Sequence, residues 1–461
     1  MLDALTALSP LDGRYAEDLS SLRACFSEQA LIQQRLHVEL QYLQALLPQL
    51  QQPLDAEQLA RLATLQSRID AAEPALIQRV KALELETRHD VKAVEYALAE
   101  ALDALELGAL RNWLHWGLTS EDVNNLAYGR MLTHSVQDVL LPGLRGLLLQ
   151  LADWIGQTAD QPMLARTHGQ AASPTTVGKE YAVFGQRLLG EMLHLESLLP
   201  ISGKLNGATG NWHLFQTFFA DHNWPAFSDA FIASLGLQPT RLSTQIVSRE
   251  SYARVLDALN RLNQILLDLA RDSWQYISLG YFSLRRRSAN EVGSSTMPHK
   301  VNPVLFENAE GNLEMATALL NLFAAKLLKS RLQRDLSDST VLRNLGTALG
   351  YSLLAWRNLQ RGLQQLQAQA ERLNAELDQH WEVLAEPLQH ALRLQGREVP
   401  YDLIRQHTQG LTMGHSDWQA LLDQLQLDLP VASPAHYTGL AAPLARETQQ
   451  AMGNYLERGA P

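Results

Sequence analysis

Apolar residues along the chain recur at helical spacing. Leu36, Leu40, Leu43 and Leu47 follow one another at intervals of four, three and four residues. Tyr252, Leu256, Leu259, Leu262, Leu266 and Leu269 keep the same rhythm over almost five turns. Leu345, Leu349, Leu353, Trp356, Leu359 and Leu363 form a third stripe. A narrow apolar face repeated over many turns belongs to helices that pack side by side. Long alternating patterns, the mark of half-buried strands, are absent, and so is any repeat of fixed period. Pro142, inside the Val136–Ile155 segment, should start or kink a helix there. The expected fold is all-α, built on a bundle of long helices.

Punctuation divides the chain into three regions. A short glycine-containing stretch around Leu107–Leu110 separates a helical region at 1–110 from a middle region at 111–368, which holds the longest stripes. From 369 to 461 the pattern is shorter and broken by Pro387, Gly396, Pro400, Gly410 and Gly414, as in a small C-terminal helical domain. One segment breaks the helical rhythm of the middle region. Ser283–Pro303 reads SLRRRSANEVGSSTMPHKVNP, with Gly293, paired serines, two prolines and a run of cations. A long polar loop inside a bundle is uncommon, and more often functional than a bare connection. Gly293 and the polar run before it suggest that 283–297 closes over a bound ligand.

Charge narrows the partners. A formal net charge of -11 over 461 residues argues against general affinity for nucleic acid or anionic membranes. It leaves room for a small anionic ligand held by a local cluster of Arg and Lys. Cys25 is the only cysteine, which excludes an intramolecular disulfide. The first ten residues lack a basic region followed by an apolar run, and stretches such as Val139–Leu144 are too short to span a bilayer, so a cytoplasmic setting is expected.

Familiar catalytic motifs are missing: there is no HExxH, Walker loop, paired CxxC, GxSxG or strand-following GxGxxG. Scattered His and carboxylate residues imply no metal, and no cofactor is expected. Polar fragments remain: DGRY at 12–15, TRHDVKAVE at 87–95, HWGLTSED at 115–122, RTHGQ at 166–170, TQ at 244–245, GSSTMPHKVNP at 293–303 and QRDLSDSTVLRN at 333–344. Singly, each has an ordinary explanation. His115 fits a hydrogen-bonded structural role, Thr119 to Asp122 fit a helix cap, and Arg334 and Arg343 fit surface ion pairs.

Taken together, these fragments resemble the fumarase/aspartase superfamily. The 293–303 stretch matches its GSSxMPxKxNP signature at every fixed position. RHDVKAVE, TSED, RTHGQ and QRDLSDSTVLRN are similar to the adenylosuccinate lyase branch, most of all to its bacterial form. Argininosuccinate lyase-like chains would carry Gln where this one has His299. One departure is Arg88, where the bacterial pattern has Asn.

The resemblance implies anti β-elimination that breaks a C–N bond and releases fumarate. Such a reaction needs a base for a weakly acidic C–H, stabilisation of the resulting dianion, and an acid for the leaving nitrogen. By similarity Ser294 is the base, with Ser295 as the alternative, and His168 is the acid, partnered by Glu307. Lys300 supplies positive charge for the serine and the carbanion. Asn302 would bond the succinyl carboxylate, and Met297 and Asn308 would line the same site. His89, Asp90 and His115 would stand near the phosphate or the reacting end. Donors for an anionic nucleotide would come from Arg14, Tyr15, Arg88, Thr119, Ser120 and Gln245, and from Arg334, Ser339 and Arg343. The family assembles as a homotetramer whose active sites each draw on three subunits. Other readings are a sister lyase of the superfamily and a helical scaffold without activity. Loss of Ser294, His168 or Lys300 would signal the scaffold, and all three are present.

Overall fold

The leucine stripes become the inner faces of long helices. In the computed structural model, which describes residues 4–285 and 295–458, the Glu28–Gln49 helix buries Leu36, Leu40, Leu43 and Leu47 completely. The Glu250–Ser278 helix does the same with Tyr252, Leu256, Leu259, Leu262, Leu266 and Leu269. Leu345–Gln365 buries all six residues of the third stripe. Each such leucine contributes roughly 1.5–3 kcal/mol over leaving it in water. The fold is all-α, as the periodicity predicted.

Local chemistry sets where the helices begin. The Ser27 hydroxyl accepts the Ala30 N–H at 3.2 Å to open Glu28–Gln49. Asp55 and Gln58 close a reciprocal capping box ahead of Ala56–Asp70. Pro74 leads Pro74–Thr87 from the first position, where its missing N–H costs nothing. Arg88 ends that helix in the left-handed region at φ +54°, and the next residue, His89, caps Asp90–Ala104 by accepting the Lys92 N–H on Nδ1 at 3.2 Å. Pro142 lies in the first turn of Leu141–Thr158. The helix Ser120–His134 reaches it through a π-helical stretch, Ser135–Leu140, which accommodates the lost hydrogen bond without breaking the run. The continuous helical run Ser120–Thr158 is long and apolar enough, by length and composition, to cross a membrane; 56% of the relevant window is buried inside the chain, as in a core helix.

The described chain packs as two compact units. One comprises Met1–Pro142, Leu193–Asn263 and Glu314–Leu354, the other Gly143–Met192, Gln264–Leu313 and Ala355–Pro461. In the first, a core from Ile32 to Leu114 joins the helices that precede residue 115. In the second, Trp381, Leu388, Ile404, Trp418 and Leu425 gather a separate C-terminal core.

Short strand pairs qualify the purely helical expectation. Pro162–Thr167 and Gln170–Thr176 form an antiparallel hairpin, and Ser202–Gly203 pairs in parallel with Gln238–Pro239. Phe282–Leu284 pairs antiparallel with Leu366–Ala368. Ser283 and Leu284 therefore belong to a strand, and the polar loop begins later than the sequence suggested. Positions 286–294, which include the expected base Ser294, lie outside the described residues, as does most of the segment expected to close over ligand.

Candidate active site

In the first unit, the start of the Asp90–Ala104 helix and the turn leading into Ser120–His134 surround a cavity of about 460 Å³. Thr87, His89, Lys92, Glu95, Tyr96, His115 and Ser120 line it. His115 has φ +55° and Gly117 φ +77°, so this turn runs twice through the left-handed region. It is held from below by the Glu28–Gln49 helix. There, fully buried Glu39 meets His115 Nδ1 at 2.5 Å, and the Tyr42 hydroxyl donates to the Trp116 carbonyl at 2.7 Å. Burial lowers the His115 pKa, but the Glu39 carboxylate, joined by Glu95 and Asp122, outweighs that and the net shift is upward.

Thr119 and Ser120 open the next helix. The buried Asp122 carboxylate accepts the Thr119 N–H at 2.9 Å. It also accepts the N–H groups of Asn206 and Gly207 at 3.1 Å each, and pairs with Lys204 Nζ at 2.9 Å. Both side chains of this pair are wholly shielded from solvent. The helix start is thereby fixed to the 204–207 loop.

Arginines gather nearby on the same unit. Arg334 meets Glu121 at 3.0 Å, and buried Arg249 bridges Glu121 at 2.7 Å and Asp338 at 3.2 Å. Burial pushes the Glu121 carboxyl up, against the pull of Arg249 and Arg334. Arg343 reaches Asp90 at 2.8 Å and Glu28 at 3.0 Å, while Arg35 holds Asp90 from the other side at 2.8 Å. Burial raises the Asp90 carboxyl, but Arg35, the Val91 N–H and Arg343 together more than reverse it, leaving it below the ordinary carboxylate range. Ser339 is half-buried on Ser337–Arg343, and Gln245 donates to the Ala208 carbonyl at 3.1 Å. Arg14 lies over the Tyr15 ring, and Arg88 is exposed beside His89.

The second unit holds the remaining candidates. His168 and Gly169, at φ +53° and +75°, form the two-residue turn of the 162–176 hairpin. Two consecutive positive φ values match the right-handed strand twist, and glycine at the second position makes the turn accessible. The His168 side chain stands exposed at the tip. Ser295, Met297 and Lys300 are exposed, and the Lys300 N–H closes a turn on the Met297 carbonyl at 3.1 Å. Asn302 is half-buried ahead of the Val304–Leu327 helix. Glu307, in that helix's first turn, accepts the Trp274 indole N–H at 3.1 Å. Among the described residues it makes no hydrogen bond to His168 within the chain. The Asn308 side-chain oxygen accepts from Asn312 at 2.8 Å and Asn358 at 2.6 Å.

His89, His115 and Ser120 thus share one cavity wall, and Asp90 and Arg343 are paired. Sequence reasoning missed Glu39, Lys204 and Arg249; the cap it allowed at Thr119–Asp122 does form, with Asp122 also engaging Lys204 and Glu121 engaging Arg249. No group of three or more His, Cys, Asp or Glu side chains among the described residues is placed to hold a metal ion.

Long helices and the GSSTMPHKVNP stretch are those of a helical lyase of the fumarase/aspartase type. Solved structures share the fold. A lactonizing enzyme for 3-carboxy-cis,cis-muconate from Pseudomonas putida aligns with TM-score 0.77 at 21% identity, over 95% of this chain and 97% of its own. A fumarate lyase from Mesorhizobium sp. BNC1 aligns with TM-score 0.75 at 17% identity, over 94% and 97%. The family profile described as Lyase matches residues 13–317, and the one described as Adenylosuccinate lyase C-terminal matches residues 330–435. The adenylosuccinate lyase of Escherichia coli K12 is 40% identical over 97% of this chain and 99% of its own length. That of Haemophilus influenzae is 41% identical over 97% and 99%. That of Dictyostelium discoideum is 40% identical over 95% and 97%. The chain belongs to the adenylosuccinate lyase family of carbon–nitrogen lyases.

Proposed function

We propose that the chain cleaves adenylosuccinate to AMP and fumarate, and the succinylated aminoimidazole carboxamide ribonucleotide to its free carboxamide and fumarate. A 40% identity with an adenylosuccinate lyase over nearly the full length, joined to an intact GSSTMPHKVNP stretch, carries this reading. Ser294 takes the proton from the succinyl carbon next to a carboxylate, and Lys300 stabilises the dianion that forms. The C–N bond then breaks, its electron pair goes to the purine-side nitrogen, and His168 protonates that nitrogen. Asn302, Ser295 and Met297 surround the succinyl group, with Glu307 and Asn308 supporting the reacting end. Arg14, Tyr15, Arg88, His89, Thr119, Ser120, Gln245, Arg334, Ser339 and Arg343 receive the phosphate and the remaining nucleotide. The 1–110, 111–368 and 369–461 regions are the domains of this reading.

The site is shared among subunits of a cytoplasmic homotetramer. One exposed face of the Val304–Leu327 helix supports this: Val304, Gly311, Met315, Ala318, Leu322 and Ala325 are all exposed and all apolar or small. Their spacing of seven, four, three, four and three is that of a helix–helix seam. Met315 and Leu322 are 50% and 57% exposed in the single chain, an unfavourable arrangement unless another helix covers them.

Purified protein incubated with adenylosuccinate, argininosuccinate and aspartate, with fumarate followed by absorbance, tests the substrate. Release from adenylosuccinate alone is expected. Light scattering on the same sample should give four chains per particle, and a monomer with full activity would sink the shared site.

A further inference from the structure

Glu39 lies on the inner side of a core helix between Val38 and Leu40, both fully buried. A carboxylate there is costly. One oxygen meets His115 Nδ1 at 2.5 Å, while the other, Oε2, is buried without a hydrogen-bond partner. An apolar residue of similar volume would serve packing as well or better. What the carboxylate does provide is control of one ring.

We infer that Glu39 is a positioning residue that holds His115 as an oriented cation, with Nε2–H presented to an anionic group of the ligand in the 460 Å³ cavity. This rests on the proposed function only for the identity of the ligand. The geometry makes the charge state decisive. With Nδ1–H committed to Glu39, a neutral imidazole leaves Nε2 as a bare acceptor, which repels an anion. A protonated ring turns Nε2 into a charge-assisted donor. The turn carrying the ring is fixed from both sides. Tyr42, one turn beyond Glu39, bonds the Trp116 carbonyl, and the Trp116 ring packs edge-on against Phe215 at 5.3 Å. A left-handed conformation at His115 aims the side chain and persists because of these contacts.

Other charges facing the ring are few. The Asp90–Ala104 helix brings Lys92 and Glu95, which pair at 2.6 Å, and Ser120–His134 brings Asp122, which is engaged by Lys204. His89 lines the same cavity from its helix cap. Glu95 and Asp122 reinforce Glu39, and burial opposes all three.

The decisive readout needs no substrate. In protein labelled with ¹³C at histidine Cε1, the His115 signal, assigned by its loss in His115→Gln, should titrate above the ordinary value of about 6.5. In Glu39→Gln it should titrate below the wild-type value, and Glu39→Asp, which keeps the charge, should restore part of the shift. Titration of wild-type His115 at or below that ordinary value would overturn the inference, even if Glu39→Gln failed to fold. Binding of AMP and of fumarate, measured separately by equilibrium dialysis, then identifies the anion. Glu39→Gln should weaken one of them by about 10- to 100-fold near pH 8 and much less near pH 6. Equal loss at both pH values would mean a merely structural role and overturn it too.

Discussion

Two histidines of this chain share a backbone conformation and differ in nearly everything else. His115 and His168 have φ +55° and +53°, and a left-handed glycine follows each within two residues. His115 is pressed against a fully buried carboxylate in a turn tied to a core helix. His168 stands exposed at the tip of a hairpin and, among the described residues, has no hydrogen-bond partner in its own chain. A group that must stay charged to hold an anion benefits from a fixed counter-ion. A group that must give up a proton and regain it each cycle does not, unless the partner arrives with the assembled site. Under the proposed function, the first histidine binds and the second transfers a proton.

The largest expected effect tests the second assignment. His168→Ala should lower turnover of adenylosuccinate by about 10²- to 10⁴-fold, and so should Ser294→Ala. Because the His168 side chain is exposed, its removal should shift unfolding free energy by no more than about 0.5 kcal/mol. Fumarate release and thermal melts measure the two separately, and near-wild-type turnover in either variant would end that residue's role. Subunit sharing is examined by mixing. His168→Ala and His115→Ala chains, each nearly inactive alone, should regain activity after they are dissociated and reassembled together. Failure to recover, with tetramers formed, would mean that both histidines act from one chain.

A stability effect comes next. Lys204→Met leaves Asp122 buried without its cation, and loss of one partner from such a pair costs about 3–5 kcal/mol. The pair between Arg187 and Asp268 has similar geometry, at 3.0 Å, but both side chains are about half exposed. Arg187→Ala should therefore cost less than about 1 kcal/mol. Urea unfolding of the two variants separates burial from mere pairing, and comparable losses would contradict the distinction.

The sequence was most informative where one period governs many residues. All three leucine stripes sit on the buried faces they predicted, because a long helix repeats its inward face for as long as it packs. His115, Thr119 and Ser120 were visible through the resemblance. The hairpin around His168 was hidden because its strands are short and do not alternate cleanly. The one local cue was His-Gly between Thr167 and Gln170, the pattern of a two-residue turn. Glu39 gave no cue at all. Flanked by buried Val38 and Leu40, it reads as one polar position of an amphipathic helix, and only its partner, far along the chain, shows otherwise. Lys204 and Asp122 are equally remote in sequence, so their pairing emerges only once the chain is folded.

The smallest effect on turnover concerns the two glycines. Gly169 and Gly117 share nearly the same φ, +75° and +77°, so alanine at either place meets the same backbone penalty of about 1–2 kcal/mol. Their surroundings differ. A Cβ on Gly169 would meet nothing within 4 Å, whereas one on Gly117 would lie 2.4 Å from the Phe215 ring. Gly169→Ala should therefore loosen only the hairpin tip. Turnover should fall modestly as His168 loses its aim, and the melting temperature should fall less than in Gly117→Ala, since no packed side chain has to move. Gly117→Ala must displace the Phe215 ring, which packs edge-on to Trp116, and should lower the melting temperature as well as AMP affinity. Paired melts and AMP titrations settle it. If Gly169→Ala destabilised the protein as much as Gly117→Ala, the His168 turn would be part of the packed core, and the contrast drawn between the two histidines would fail.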